Sequence, residues 1–252
     1  MKASSAIIEQ LIDAGSDINA KSTESSISAL CLAIKNKMEK AVLMLLAKGA
    51  DLSSTDENGW TALHYAVDSE NEMILKAILD AMKQNNCNLD TYSSSGNTPL
   101  HLALYSDERT VIINCLIEAG SDINVITKSS GFSVVSLAVF LKLEEAVNIL
   151  IANGVDLSST DENGWTPLHH ASFYGNKQIL ESLLATDTNL LQFDTAGRIP
   201  LHLAFTKGND VIVKIIVEAM KKKGMGINSF SDYGFKVMDL AQYFKKDSSV
   251  LF

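Results

Sequence analysis

The sequence predicts an all-α solenoid of helix-turn-helix repeats joined by short β-hairpin loops. Three observations predict it. The stretch Asp56 to Ala66, Asp-Glu-Asn-Gly-Trp-Thr-Ala-Leu-His-Tyr-Ala, returns almost unchanged at Asp161 to Ala171. Weaker copies of its second half stand at Thr98-Pro99-Leu100-His101-Leu102-Ala103 and Ile199-Pro200-Leu201-His202-Leu203-Ala204. Aligned on the threonine position, Ser28, Thr61, Thr98, Ser133, Thr166, Ile199 and Lys236 are separated by 33, 37, 35, 33, 33 and 37 residues. A unit that short cannot bury its own apolar side, so it must stack on copies of itself.

The pattern Thr-Pro-Leu-His-x-Ala resembles the signature of the ankyrin repeat, a turn plus two helices recurring about every 33 residues. The resemblance covers nearly the whole chain. It implies one ankyrin-repeat solenoid over residues 1–252. Residues 1–20 form a half repeat or N-terminal cap, followed by repeats at about 21–53, 54–90, 91–124, 125–157, 158–191 and 192–228, then a C-terminal cap at 229–252.

The elements follow in order. Ala6 to Ile12 carries an amphipathic helical pattern closed by Gly15, with no first helix before it. Either this half repeat caps the N-terminus or the sequence is cut from a longer protein. The repeat at 21–53 has the degenerate signature Ser28 to Ala33 and a second helix from Glu39 to Ala47, ended by Gly49. The next has a second helix one turn longer, Glu72 to Gln84, because four extra residues add about one turn. The repeat at 125–157 lacks the proline and histidine, 158–191 matches best, and 192–228 again has a long second helix, Asp210 to Lys223. In the C-terminal cap Lys236 and Asp239 replace threonine and histidine. Gly59, Gly96, Gly131, Gly164, Gly197 and Gly234 supply the hairpin turns. Threonine at the helix start serves as N-cap, with proline, where present, at the first helical position.

A second period lies above the first. Leu11 to Asn19 recurs at Leu116 to Asn124 with one change, and Asp51 to Thr61 recurs identically at Asp156 to Thr166. Both offsets are 105 residues, so three repeats have been duplicated as a block. Differences between the copies therefore carry information.

Composition narrows the partners. A net charge of −9 disfavours nucleic acid, which needs a basic footprint, and leaves room for a partner with a basic or mixed surface. Cys31, Cys87 and Cys115 lack metal-knuckle spacing and suit a reducing, cytoplasmic setting. Glu9 and Asp13 interrupt any signal-peptide core, and no apolar run has the length of a membrane span. No phosphate loop, nucleophile elbow or zinc-protease motif is present. The pairs Asp56-Glu57 and Asp161-Glu162 read as turn formers. Lys221 to Lys223 reads as a solvated helix end. Asn19 and Asn124 read as turn formers, with hydroxylation the alternative that some family members suggest. The resemblance gives His64, His101, His169 and His202 the role of linking adjacent hairpins. His170, one place later, is placed to reach the groove.

The resemblance also implies where a partner lies: on a concave face built from hairpins and first helices. The matching positions are the residue after each hairpin glycine and two residues just beyond the signature alanine. They give Ile27, Lys35 and Asn36; Trp60, Asp68 and Ser69; Asn97, Tyr105 and Ser106; Phe132, Phe140 and Leu141; Trp165, Phe173 and Tyr174; Arg198, Thr206 and Lys207; and Phe235, Tyr243 and Phe244. Lys35-Asn36 corresponds to Phe140-Leu141 and Asp68-Ser69 to Phe173-Tyr174. The first copy is polar and the second apolar, as an interface would be. The alternative is local packing of these rings against the next hairpin. The expected partner-binding set is Trp60, Tyr105, Phe132, Phe140, Leu141, Trp165, Phe173 and Tyr174. The expected function is non-catalytic protein binding by a cytoplasmic monomer without cofactor, metal, nucleic acid or membrane. The alternatives are a targeting or substrate-recognition arm of a larger enzyme, and a secreted bacterial effector acting in a host cytosol.

Overall fold

A computed structural model describes residues 14–225. The N-terminal helix expected at Ala6 to Ile12 and the cap at 229–252, with Phe235, Tyr243 and Phe244, lie outside the described residues. The chain divides into two compact units, 1–129 and 130–252.

The N-terminal unit holds α1 (Ala29–Lys35), α2 (Glu39–Ala47), α3 (Ala62–Asp68), α4 (Glu72–Gln84), α5 (Pro99–Ala103) and α6 (Arg109–Ala119). The first helices form one layer, α1 on α3 and α3 on α5. The second helices form another, α2 on α4 and α4 on α6. The C-terminal unit repeats the plan with α7 (Val134–Phe140), α8 (Glu144–Ala152), α9 (Pro167–Tyr174), α10 (Lys177–Leu184), α11 (Pro200–Lys207) and α12 (Asp210–Lys222). There α7, α9 and α11 make the first layer and α8, α10 and α12 the second. Between the layers lie Leu63, Ile74, Ile78, Leu100 and Ile113 in one unit, and Leu168, Ile179, Leu201 and Ile216 in the other, all essentially without solvent contact.

The long second helices α4 and α12 have 13 residues against 9 in α2 and α8. The expected end at Lys223 falls one residue short, because Lys223 is the C-cap. First helices start as the signature requires. The Ser28, Thr98, Ser133 and Thr166 side chains accept the backbone N–H three residues on. Three second helices start on an asparagine that does the same work, Asn71, Asn176 and Asn209. These caps went unread in the sequence, although asparagine is among the strongest N-cap residues. The hairpins are turns; the β-pairing among the described residues is the isolated bridge between Lys21 and Ser28. Helix α5 is only five residues long. It closes in tight i→i+3 bonds from Tyr105 N–H to the Leu102 carbonyl and from Ser106 N–H to the Ala103 carbonyl. The Ser106 hydroxyl then donates to Glu70 at 2.7 Å.

Candidate functional site

Each duplicated hairpin is held by one buried aspartate. The Asp161 Oδ1 accepts the Asn163 and Trp165 N–H groups at 2.9 Å. In the other copy, Asp56 accepts the Asn58 and Trp60 N–H groups at 2.9 and 2.8 Å. These carboxylates are turn-forming acceptors, as the sequence suggested. The hairpins also meet one another within each unit. The Ser94 N–H donates to the Asn58 carbonyl and the Thr195 N–H to the Asn163 carbonyl. A side chain at Gly164, whose φ is +72°, would place its Cβ 2.8 Å from the Thr195 nitrogen.

The signature histidines fasten helix starts to hairpins. His169 Nδ1 accepts the Thr166 N–H at 3.2 Å, so Nε2 carries the proton and donates to the Arg198 carbonyl at 3.1 Å. His64 bridges Thr61 and the Asn97 carbonyl in the same way. Burial pushes both imidazoles below the usual histidine range, partly offset by those carbonyl bonds. They are neutral structural links.

His170 differs from its expected place. It is 2% exposed rather than open to the groove, because its ring is drawn inward to Asp161, with Nε2 3.0 Å from Oδ2. Its counterpart in the first copy is Tyr65, whose hydroxyl donates to Asp56 at 2.7 Å. Burial, opposed by the Asp161 charge, lowers the His170 pKa to about 4. The neutral ring donates through Nε2, leaving Nδ1 buried without a hydrogen-bond partner among the described residues.

Aromatic rings gather over His170. Phe132 lies 4.8 Å away, Trp165 5.1 Å, and Tyr174 is stacked at 6.1 Å with an interplanar angle of 2°. Phe140 meets Phe132 and Tyr174 edge-on at 5.7 and 5.1 Å. Phe173 joins through Trp165 at 4.9 Å and Tyr174 at 5.1 Å. Five of the eight expected partner-facing side chains thus form one cluster: Phe132, Phe140, Trp165, Phe173 and Tyr174. Phe140 is 41% exposed and the other four are half-buried. Local packing and a residual open face therefore coexist. Leu141 is half-buried as the C-cap of α7. Trp60 and Tyr105 belong to the N-terminal unit. Trp60 packs on His64 and Tyr65, and Tyr105 is 57% exposed just beyond α5.

Asp194 anchors the cluster at its far hairpin. Its Oδ2 accepts the Trp165 indole N–H at 3.1 Å and two Arg198 donors, Nε at 2.9 Å and Nη2 at 2.8 Å. Burial works to raise its pKa, but the Arg198 hydrogen bonds and charge outweigh it and hold the carboxyl below its usual range. The Lys207 ammonium sits 4.0 Å from the Phe173 ring centroid. Lys207 stood among the expected concave-face positions but not in the expected partner-binding set, and the Asp194 anchor figured in neither. Among the described residues there is no group of three or more His, Cys, Asp or Glu side chains able to hold a metal ion. No helix there is long and apolar enough to cross a membrane.

Comparison with known proteins matches this architecture. The profile of the family described as Ankyrin repeats (3 copies) matches residues 1–91, 30–127 and 135–231. The chain belongs to the ankyrin-repeat family. It is similar to the B-cell lymphoma 3 protein homolog of Mus musculus, 29% identical over 146 residues that make up 58% of this chain and 32% of that protein. It is 30% identical over 147 residues to the nuclear factor NF-kappa-B p105 subunit of Gallus gallus, covering 58% of this chain and 15% of that one. It is 32% identical over 146 residues to the probable 26S proteasome regulatory subunit p28 of Saccharomyces cerevisiae, covering 57% and 62%. The chain thus spans less than two thirds of the length of these relatives. Among solved structures, the ankyrin repeat domain of Bcl-3 aligns with a TM-score of 0.77 at 23% identity, covering 84% of this chain and 91% of that domain. The human ASB11 ankyrin repeat domain aligns at 0.65, also at 23% identity, covering 85% and 91%. At that identity the structural likeness establishes the fold.

Proposed function

We propose that the chain is a non-catalytic protein-binding module that takes a partner segment on the aromatic face of its C-terminal unit. One observation carries the reading. Phe140 and Phe173, beside the half-buried Trp165 and Tyr174, stand where the duplicate copy has Lys35 and Asp68. Large rings left partly exposed in one cluster are what interfaces use as anchors. The concave placement expected of ankyrin repeats fits the same residues, and the Bcl-3 domain belongs to a member of the IkappaB protein family. A second reading, a recognition arm within a longer protein, is favoured by the share of each relative that the chain spans. A cytoplasmic setting remains part of the proposal, in keeping with free thiols at Cys31, Cys87 and Cys115.

The test spares Trp165, because its indole N–H bonds Asp194 and its removal would loosen a hairpin. Phe173→Ala with Tyr174→Ala should abolish capture of whatever the unaltered chain retains from cell extracts, while the thermal midpoint moves by only a few degrees. Unchanged capture by a folded double variant would falsify the reading.

A further inference from the structure

We propose that the aromatic face of the C-terminal unit selects an acidic, apolar-rich peptide segment, against what the chain's overall charge suggests. The inference rests on the docking reading above and adds the chemistry of the occupant.

The polar inventory of the face is lopsided. Its two neighbouring carboxylates are buried and already occupied. Asp161 accepts two backbone N–H groups and His170. Asp194 accepts the Ala196 and Arg198 backbone N–H groups, the Trp165 indole and the Arg198 guanidinium. That guanidinium is neutralised by the same contact. The exposed charge lying on the rings is the Lys207 ammonium over Phe173. The Tyr174 hydroxyl has no hydrogen-bond partner among the described residues and sits on a half-exposed side chain. The face therefore presents donors and a cation but no carboxylate of its own, apart from Glu162 in the hairpin turn.

The duplicate copy sharpens the contrast. The position of Phe173 is held there by Asp68, an exposed carboxylate at the end of α3, the helix that follows Trp60. Where the first copy has an acid, the second has a ring beneath a lysine. The net charge of −9 does not override this, because charges beyond about 8–10 Å are screened at physiological salt. At contact range Lys207 sets the sign. Its cation–π contact is weak at an exposed site. It holds the ammonium in place without hiding it, so an incoming carboxylate can meet Nζ while neighbouring apolar side chains cover Phe140, Phe173 and Trp165.

The experiment uses the whole chain with Trp60→Phe, so that emission reports Trp165. Two pools of 12-residue peptides, free of Trp, share fixed Phe, Leu and Ile positions; the other positions are Asp/Glu in one pool and Lys/Arg in the other. The acidic pool should bind about three- to tenfold tighter at low salt, since exposed pairs each contribute modestly. Lys207→Glu should reverse the preference and 0.5 M salt should erase most of it. Equal binding, tighter basic binding, or a preference untouched by Lys207→Glu overturns the choice of occupant while leaving the docking face intact. Failure of both pools, or binding insensitive to Phe173→Ala, overturns the docking reading and this inference with it.

Discussion

At residue 170 the two copies solve one problem with different donors. The turn carboxylate has an oxygen facing the core, and a buried acceptor left bare costs about 1–3 kcal/mol. Tyr65 satisfies Asp56 with a phenol and His170 satisfies Asp161 with an imidazole. The difference is titration. Burial holds the Tyr65 phenol in its protonated form, whereas His170 must stay neutral down to about pH 4. Unfolded, that imidazole takes up a proton near pH 6.5. Between those values the unfolded state binds more protons, so stability falls as pH is lowered and is fully present above pH 6.5. The span corresponds to on the order of 3 kcal/mol. His170→Tyr should flatten the loss of stability between pH 6.5 and 4 in urea denaturation series. Some slope will remain, because His64 and His169 are shifted the same way. An unchanged slope would show that His170 is not the group being titrated.

The element that governs the site is the hairpin, and its weak point is Gly164. Two costs meet there: a positive φ and a Cβ position 2.8 Å from the neighbouring hairpin's backbone. Gly154, at the end of α8, has φ +76° but open space around its Cβ. Gly164→Ala should therefore cost about 2 kcal/mol or more and Gly154→Ala nearer 1 kcal/mol, the strain of a left-handed alanine alone. Equal urea midpoints for the two variants would contradict the proposed backbone clash. Helices and hairpins were largely legible in the sequence because a repeated signature reports them several times over. The α4 boundaries could be read directly from a gap of 37 residues. What escaped was cross-repeat chemistry. The meeting of Trp165 with Asp194, and of Lys207 with Phe173, joins residues tens of positions apart that no spacing rule pairs. The inward turn of His170 escaped for a related reason: its direction is set by a carboxylate in the preceding hairpin.

Across the molecule, stability is built from neighbour contacts within each unit: α9 rests on α7 and α11, and α10 on α8 and α12. Damage should therefore spread by adjacency. In hydrogen exchange, Gly164→Ala should raise rates most in 158–191, less in the flanking repeats at 130–157 and 192–225. Uniform acceleration over 130–225 would instead indicate a single all-or-none block. The partner-facing surface was legible as a set of positions, because the resemblance supplied them and the duplication showed which had become aromatic. Which of them touch was not: Trp60 and Tyr105 carry the same ring types as Trp165 and Tyr174, yet the described cluster forms around His170.

The donor requirement at the hairpin aspartate also restricts how this position can drift. Tyrosine and histidine codons differ by one base, so an ancestor could pass between them without an intermediate that abandons the carboxylate. A phenylalanine, equally near to tyrosine in the code, would keep the ring and lose the proton. Mutational tolerance at residues 65 and 170 should thus follow the ability to donate a hydrogen bond rather than aromatic bulk.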